Sequence, residues 1–267
     1  MSTSPASPAL PPPLRHSRDA RGVHTLTLNR ASTFNALSED MLAALQAALD
    51  FVALDATARL VVIDAMGKAF CAGHNLKDMR AHPDVSYYQN LFAQCTRMML
   101  SIQNLALPVV AKVQGLATAA GCQLVAQCDL AVAANSATFG VNGIDVGLFC
   151  ATPSVPLVRN MPAKQAMEML LTGEFITADE ARVRGLVNRV VAPDALDAEL
   201  EKLVLSILAK PREAIAMGKA LFYKQRETNI EAAYQLAGQS MACNMIHPVA
   251  QEGVQAFIDK RKPKWSA

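Results

Sequence analysis

Residues 108–147, PVVAKVQGLATAAGCQLVAQCDLAVAANSATFGVNGIDVG, decide the fold and frame the chemistry. The segment opens with an almost unbroken apolar run at 109–113, the pattern of a strand buried on both faces of a sheet. Gly115 and the small residues Ala117-Thr118-Ala119-Ala120-Gly121 follow, and they let the backbone turn sharply into a helix over 121–127. A second buried strand is predicted at 130–133. Strand, tight turn, helix and strand make an α/β unit, with free backbone N–H groups aimed outward at the helix start. The first turn of that helix is where an acid or base would stand. It holds Gln123, whose amide exchanges no proton at neutral pH. From the residues alone, Ala119-Ala120-Gly121 has two readings: a tight packing corner, or a presentation of N–H donors to a ligand.

The pattern continues on both sides. Residues 24–28 (HTLTL) alternate polar and apolar and predict a strand. Ser38 offers an N-cap with Glu39 and Asp40 behind it, and Met41, Leu45, Leu49 and Val52 recur at helical spacing, so 39–54 reads as an amphipathic helix. A strand at 60–63 feeds the glycine-containing loop 66–73, and a helix is expected near 86–103. From Ala163 onward the pattern turns helical: one helix closes at Gly173, Thr177 caps another that ends near Gly185, and a short strand at 186–191 follows. Helices are then predicted at 195–209, 211–225, 230–245 and 248–260, with Pro211 and Pro248 in their first turns. The expected organisation is a Pro/Ser-rich tail over 1–20, an α/β core over 21–195 and a helical subdomain over 196–267. No internal repeat is evident.

Composition narrows the function classes. Of the 267 residues 52% are hydrophobic and only 18% charged, below the roughly 25% of an average domain, which predicts apolar surface buried between subunits. Net charge is +2 with Lys and Arg scattered, so no basic stripe points to nucleic acid. Lys112, Gln123, Gln127 and Asp129 interrupt the most apolar region, which argues against a membrane span. Cys71, Cys95, Cys122, Cys128, Cys150 and Cys243 form no C-x-x-C pair and read as reduced thiols, with Cys122 and Cys150 lacking a nearby base. Residues 1–18 hold no acid and carry Arg15 and Arg18, as a transit peptide would, but their prolines oppose the amphipathic helix such a peptide needs. A disordered tail and a cytoplasmic address are expected, or a mitochondrial one for a eukaryotic source. P-loop, G-x-G-x-x-G, H-E-x-x-H and G-x-S-x-G motifs are all absent from the sequence.

AFCAGHNLKDM at 69–79, GLATAAGCQL at 115–124, CDLAVA, FGVNGIDVGL and AMEMLLTGEFITADEARVRGLVNRVV occur in the order that resembles the crotonase, or enoyl-CoA hydratase/isomerase, superfamily. The likeness covers residues 20–265. The GLATAAGCQL, GLFC-T-P and KRKP-W stretches are most similar to its subgroup called enoyl-CoA hydratase domain-containing protein 3. The resemblance implies a crotonase-type ββα superhelix core with a C-terminal helical subdomain, assembled as trimers or paired trimers. It also implies an acyl-CoA thioester ligand, with coenzyme A as part of the substrate and no separate cofactor or metal.

By position in these motifs, the resemblance gives the backbone N–H groups of His74 and Ala120 the task of holding a thioester enolate oxygen. Hydratases of the family carry two glutamates that activate water. Their positions here are Gln123 and Gly143, so the two-glutamate mechanism does not carry over, and proton transfer worth roughly 100- to 10,000-fold is missing. Asp145, two residues beyond Gly143, is either a substitute catalytic group or a capping or surface acid. The His74 ring either moves a proton near the oxygen or sits satisfied in the core. For coenzyme A the resemblance implies contacts at Thr33, Phe34, Ala72 and Leu76, with Phe257 and Lys260 closing over the nucleotide. Taken alone, the last two belong to an ordinary amphipathic helix. Many relatives have a Lys where Ser32 stands, leaving Arg30 and Lys260 as charges for the phosphates.

Overall fold

A computed structural model describes residues 11–265. The chain enters on an antiparallel pair, β1 (Leu14–Arg18) and β2 (Val23–Leu28), followed by α1 (Glu39–Leu54). Three similar units come next. The first is β3 (Leu60–Ala65) and β4 (Ala69–Cys71) with α2 (Leu76–Ala81) and α3 (Val85–Asn104). The second is β5 (Val109–Val113), β6 (Leu116–Thr118) and α4 (Ala120–Gln127), and the third is β7 (Leu130–Ala134), β8 (Thr138–Gly140) and, after a 3-10 turn at Asn142–Val146, α5 (Ala151–Asn160). In each unit the first strand joins one sheet and the second strand joins another. This is a structural repeat that the sequence does not announce, because each unit keeps the strand-strand-helix order with different residues.

The chain continues through α6 (Ala163–Thr172), β9 (Ile176–Thr177), α7 (Ala178–Val183) and β10 (Arg189–Val191). The larger sheet has the order β1-β2-β3-β5-β7-β10 and is parallel except for β1; the smaller has the order β4-β6-β8-β9. Both faces of the larger sheet are covered. In β3, Val61 and Ile63 face one apolar cluster with Leu45, Leu49 and Met98, whereas Leu60 and Val62 face another. That two-sided burial accounts for the unbroken apolar runs in the central strands. The four helices that follow are α8 (Leu196–Leu208), α9 (Arg212–Gln225), α10 (Ile230–Met245) and α11 (Pro248–Ile258). Leu196, Leu203 and Val204 of α8 pack on the second cluster, so the first helix of the expected C-terminal subdomain covers the core sheet.

Helix α9 is clasped to the core as well. Lys219 Nζ donates to the carbonyls of Ile102 and Leu107, both at 2.8 Å, and to Asp129 Oδ2 at 2.6 Å, while Tyr223 donates to Asp129 Oδ1 at 2.8 Å. Removing one partner of so buried a pair leaves the other charge uncompensated, at a typical cost of about 3–5 kcal/mol.

Several expectations are corrected in detail. The tail over 1–20 gives way by Leu14 to strand β1, an edge strand whose residues after Leu14 are all exposed, so that no apolar alternation marks it; residues 1–10 lie outside the described residues. The strand expected at 186–191 is shorter, because Leu186 and Val187 are buried outside the sheet before β10 begins at Arg189. Pro211 is the N-cap of α9, in extended conformation, and Pro248 does occupy a first turn. Ser38 caps α1 by position only, since its hydroxyl bonds to the Asp40 carboxylate. Among the described residues no helix is long and apolar enough to cross a membrane, and all six thiols are free.

Candidate active site

Two glycines bring separate chain segments into backbone contact at the start of α4. A Cβ on Gly121 would stand 2.0 Å from the Cys71 carbonyl oxygen, and one on Gly73 would stand 2.9 Å from the Ala120 nitrogen. No other residue permits so close an approach. The loop carrying Gly73 and His74 is thereby pressed against the N-terminus of α4. Ala119 turns the chain at φ 49° and ψ −121°, a conformation costly for any residue with a side chain, and is held by its N–H bond to the Gly140 carbonyl at 2.9 Å. Among the described hydrogen bonds, neither the His74 nor the Ala120 N–H has an acceptor. Two fixed, unpaired donors beside a helix dipole suit an oxygen that gains negative charge.

The loop is held from beneath by Asn35, which the sequence reading overlooked. It is fully buried with φ 54°, accepts from the Arg30 N–H and donates to the carbonyls of Met66 and Ala69, each at 2.9 Å. The only signal was an Asn in a Thr-Phe-Asn turn, which tolerates a left-handed backbone. The Leu37 N–H adds a bond to the Gly73 carbonyl at 2.7 Å.

The His74 ring is anchored by Nδ1, which lies 3.2 Å from the Leu37 carbonyl and donates to it. Nε2 is buried without a partner, and the ring meets Phe92 edge-on at 5.5 Å. Burial lowers the imidazole's pKa, so the ring is neutral at physiological pH. Gln123, one turn into α4, is 5% exposed, and its Oε1 has no hydrogen-bond partner.

The turn before α5 is closed. The Gly143 N–H donates to Cys150 Sγ at 3.3 Å, and a Cβ on Gly143 would lie 2.6 Å from the Leu148 carbonyl oxygen and 2.8 Å from that sulfur. Burial raises the pKa of the Cys150 thiol and keeps it protonated. Asp145 is exposed, with a carboxylate oxygen 2.9 Å from where a Cβ on Gly173 would stand, at the end of α6. Helices α4 and α5 run side by side in the same direction: the Cys122 and Cys150 thiols are neighbours at their starts, and Asn160 Nδ2 donates to the Ala126 carbonyl at their ends. Thr118 and Asn142 tie the two preceding turns together at 2.6 Å.

The residues expected to hold coenzyme A fall into two groups. Thr33, Phe34, Ala72 and Leu76 rim the His74 loop, where the Ala72 N–H donates to the Phe34 carbonyl at 3.0 Å. Phe34 and Leu76 are exposed, and Lys68 lies over the Phe34 ring. Phe257 is 86% exposed at the end of α11, with Lys260 just beyond it at φ 53°. No described hydrogen bond joins this second group to the first. Arg30 is occupied by Asp40 and the Pro11 carbonyl.

Comparison with known proteins gives the family and the fold. Residues 18–267 match the sequence model of the family described as Enoyl-CoA hydratase/isomerase. The mitochondrial enoyl-CoA hydratase domain-containing protein 3 of Rattus norvegicus is 42% identical over 265 residues, covering 99% of this chain and 88% of that protein. A crystal structure of an enoyl-CoA hydratase from Mycobacterium smegmatis superposes with TM-score 0.94 at 63% identity, covering 96% of this chain and 99% of that one. The crystal structure of human enoyl-CoA hydratase domain-containing protein 3 gives a TM-score of 0.91 at 41% identity, covering 95% and 100%. With its paired strands feeding two sheets and a helix after each pair, this chain has the crotonase fold and belongs to the enoyl-CoA hydratase/isomerase family.

Proposed function

We propose that this protein binds an acyl-CoA thioester and stabilises its enolate between the N–H groups of His74 and Ala120, without the two-carboxylate water activation of a hydratase. The observation that carries this reading is the pair of unbonded N–H groups held together by the Gly73 and Gly121 contacts. Each such donor contributes roughly 3 kcal/mol to an oxyanion-like transition state in a dry site. The rim of Thr33, Phe34, Ala72 and Leu76 supports a place for the pantetheine arm, and Phe257 with Lys260 is assigned to the nucleotide end.

Gln123 and Gly143 supply no acid or base, and the closed contacts around Gly143 leave no room for a side chain there. The chemistry left to the site is a reaction in which the substrate makes its own enolate, such as loss of CO2 from a malonyl-type thioester, or double-bond isomerisation with a single base. A silent acyl-CoA binder is the second reading, favoured by the absence of a titratable group at both positions. Self-association as a trimer or hexamer belongs to the same proposal. It is supported by exposed Val146, Leu148, Phe149, Val155 and Val158 along the turn into α5.

The test is to measure binding of a panel of acyl-CoA esters and to assay each for hydration, isomerisation, hydrolysis and decarboxylation. Binding with turnover other than hydration is expected. Robust crotonyl-CoA hydration that survives Asp145→Ala would refute the account of the missing pair. Tight binding without turnover would select the silent binder, and no binding of any ester would remove the ligand class.

A further inference from the structure

Away from the candidate site, two histidines join the first two strands to the end of α1. His16 of β1 and His24 of β2 meet ring to ring, with His16 Nε2 2.8 Å from His24 Nδ1 and the centroids 5.1 Å apart. His24 is fully buried, and its other nitrogen, Nε2, lies 3.0 Å from Asp55 Oδ2 just past the end of α1. His16 is exposed on the edge strand. Phe51 of α1 meets both rings edge-on, at 5.6 Å and 6.5 Å. The chain Asp55, His24, His16 thus runs from the end of α1 through the interior to solvent.

Asp55 fixes the order of protons along this chain. Hydrogen bonds from the Thr57 hydroxyl and N–H, and beyond them from His24 and Arg18, hold its carboxyl well below the usual carboxylate range. A carboxylate facing His24 Nε2 requires a proton there. Neutral His24 therefore turns the lone pair of Nδ1 toward β1, and His16 donates to it from Nε2. A first added proton keeps the bond: if His16 takes it, His24 Nδ1 still accepts, and if His24 takes it, His16 moves its own proton to Nδ1 and accepts at Nε2. A second added proton does not. Both rings are then imidazolium, each facing nitrogen carries a hydrogen, and no bond survives at 2.8 Å. Asp55 offsets one positive charge, but Arg18 is bonded to the same carboxylate oxygen and adds a cation of its own. Asp50 of α1 is turned to Gln46 instead.

The residues just ahead of β1 are held by the segment that follows β2. The Asn29 N–H donates to the Pro13 carbonyl at 2.8 Å and Asn29 Nδ2 to the Pro12 carbonyl at 3.0 Å, while the Arg30 guanidinium bonds to the Pro11 carbonyl. Asn29 and Arg30 lead directly into the 3-10 turn Ala31–Thr33. We infer that His16 and His24 form an acid-sensitive latch: a second proton on the pair releases β1 from β2 and frees Asn29 and Arg30 at the entry to that turn. Burial, and after it the neighbouring His24, lower the His16 pKa from 6.5. The contribution of the latch is therefore present in full above 6.5 and is lost as pH falls through the lowered value.

The experiment is hydrogen–deuterium exchange of the full chain at about pH 8 and about pH 5, corrected for the chemical exchange rate, on the wild type, His16→Gln and His16→Ala. Protection of residues 14–18 in the wild type should fall roughly tenfold at the lower pH, the factor expected from losing one hydrogen bond of ordinary strength. Protection of 29–33 should fall with it, and that of β5 in the sheet centre should hold. His16→Gln should stay protected at both pH values, because its carboxamide offers NH2 to neutral His24 and oxygen to the charged ring. His16→Ala should be poorly protected at both. Wild-type protection that ignores pH overturns the inference, and so does a His16→Gln variant that loses as much as the wild type. Equal loss in β5 also overturns it, by showing acid unfolding of the whole sheet. Loss at 14–18 with none at 29–33 keeps the latch and overturns its link to the turn.

Discussion

The turns into α4 and α5 each carry a glycine in close backbone contact, lie at the same end of two parallel helices, and finish in opposite states. At the first, Gly73 and Gly121 press backbones together, Ala119 is held at φ 49°, and the Ala120 N–H is left open. At the second, the Gly143 N–H is consumed by Cys150 Sγ and the Leu148 carbonyl closes over it. On the function proposed above, the first turn offers an oxygen its backbone N–H donors, and the second offers a ligand neither a free N–H nor a side chain at Gly143.

Gly121→Ala is the most direct way to break the first turn. The added carbon would stand 2.0 Å from the Cys71 carbonyl oxygen and 2.6 Å from its carbon, and both belong to backbone that no rotamer change can move. A loss of about 3 kcal/mol or more is expected in urea unfolding, the upper range for overpacking and backbone displacement. A loss under about 1 kcal/mol would mean that the junction yields easily, and the open N–H would then be incidental.

The second turn should respond less. At Gly143 the nearest contacts are the Leu148 carbonyl at 2.6 Å and the Cys150 sulfur at 2.8 Å, and the sulfur can swing aside. Gly143→Ala is expected to cost about 1–3 kcal/mol in the same measurement. The double change Gln123→Glu with Gly143→Glu restores both carboxylates by sequence, but it should not confer crotonyl-CoA hydration, because a carboxylate side chain introduced at position 143 has no space to reach a ligand. Hydration by the double variant, followed as loss of the enoyl absorbance, would show the turn to be open and dissolve the contrast.

Much of this was legible in the sequence, for reasons that differ by region. The central strands declared themselves because they are buried on both faces, and Glu39–Leu54 because only one face is. Strands β4, β6, β8 and β9 were missed: at two or three residues each they are too short to show a period, and tertiary contacts fix them. Helix α5 was hidden by Pro153 and Pro156. At the site, motif resemblance named His74 and Ala120, but the closure of Gly143 depends on Leu148 and Cys150 folding back across five to seven positions. No local pattern encodes that contact. Asn35 was overlooked because a lone Asn in a turn looks like surface, and only the fold buries it between two loops.

The smallest expected effect concerns the one titratable ring beside the first turn. Burial depresses the His74 pKa below its ordinary value of 6.5, against a smaller opposing contribution from the Leu37 carbonyl. Between the depressed folded value and 6.5 the unfolded chain binds more protons than the folded one, so stability falls as pH falls through this window and is fully present above it. His16 is depressed by burial and by neighbouring His24, with the same sign, so the wild-type profile alone does not assign the slope. The difference between the wild type and His74→Leu does. The variant should be less stable near pH ~8, having lost the bond to Leu37, and should lose less further stability on acidification, as read from urea midpoints across the pH series. Parallel curves would mean that the His74 ring titrates in the folded protein as it does in water. A ring so exposed could carry a proton to the ligand, and the turn into α4 would then hold side-chain chemistry after all.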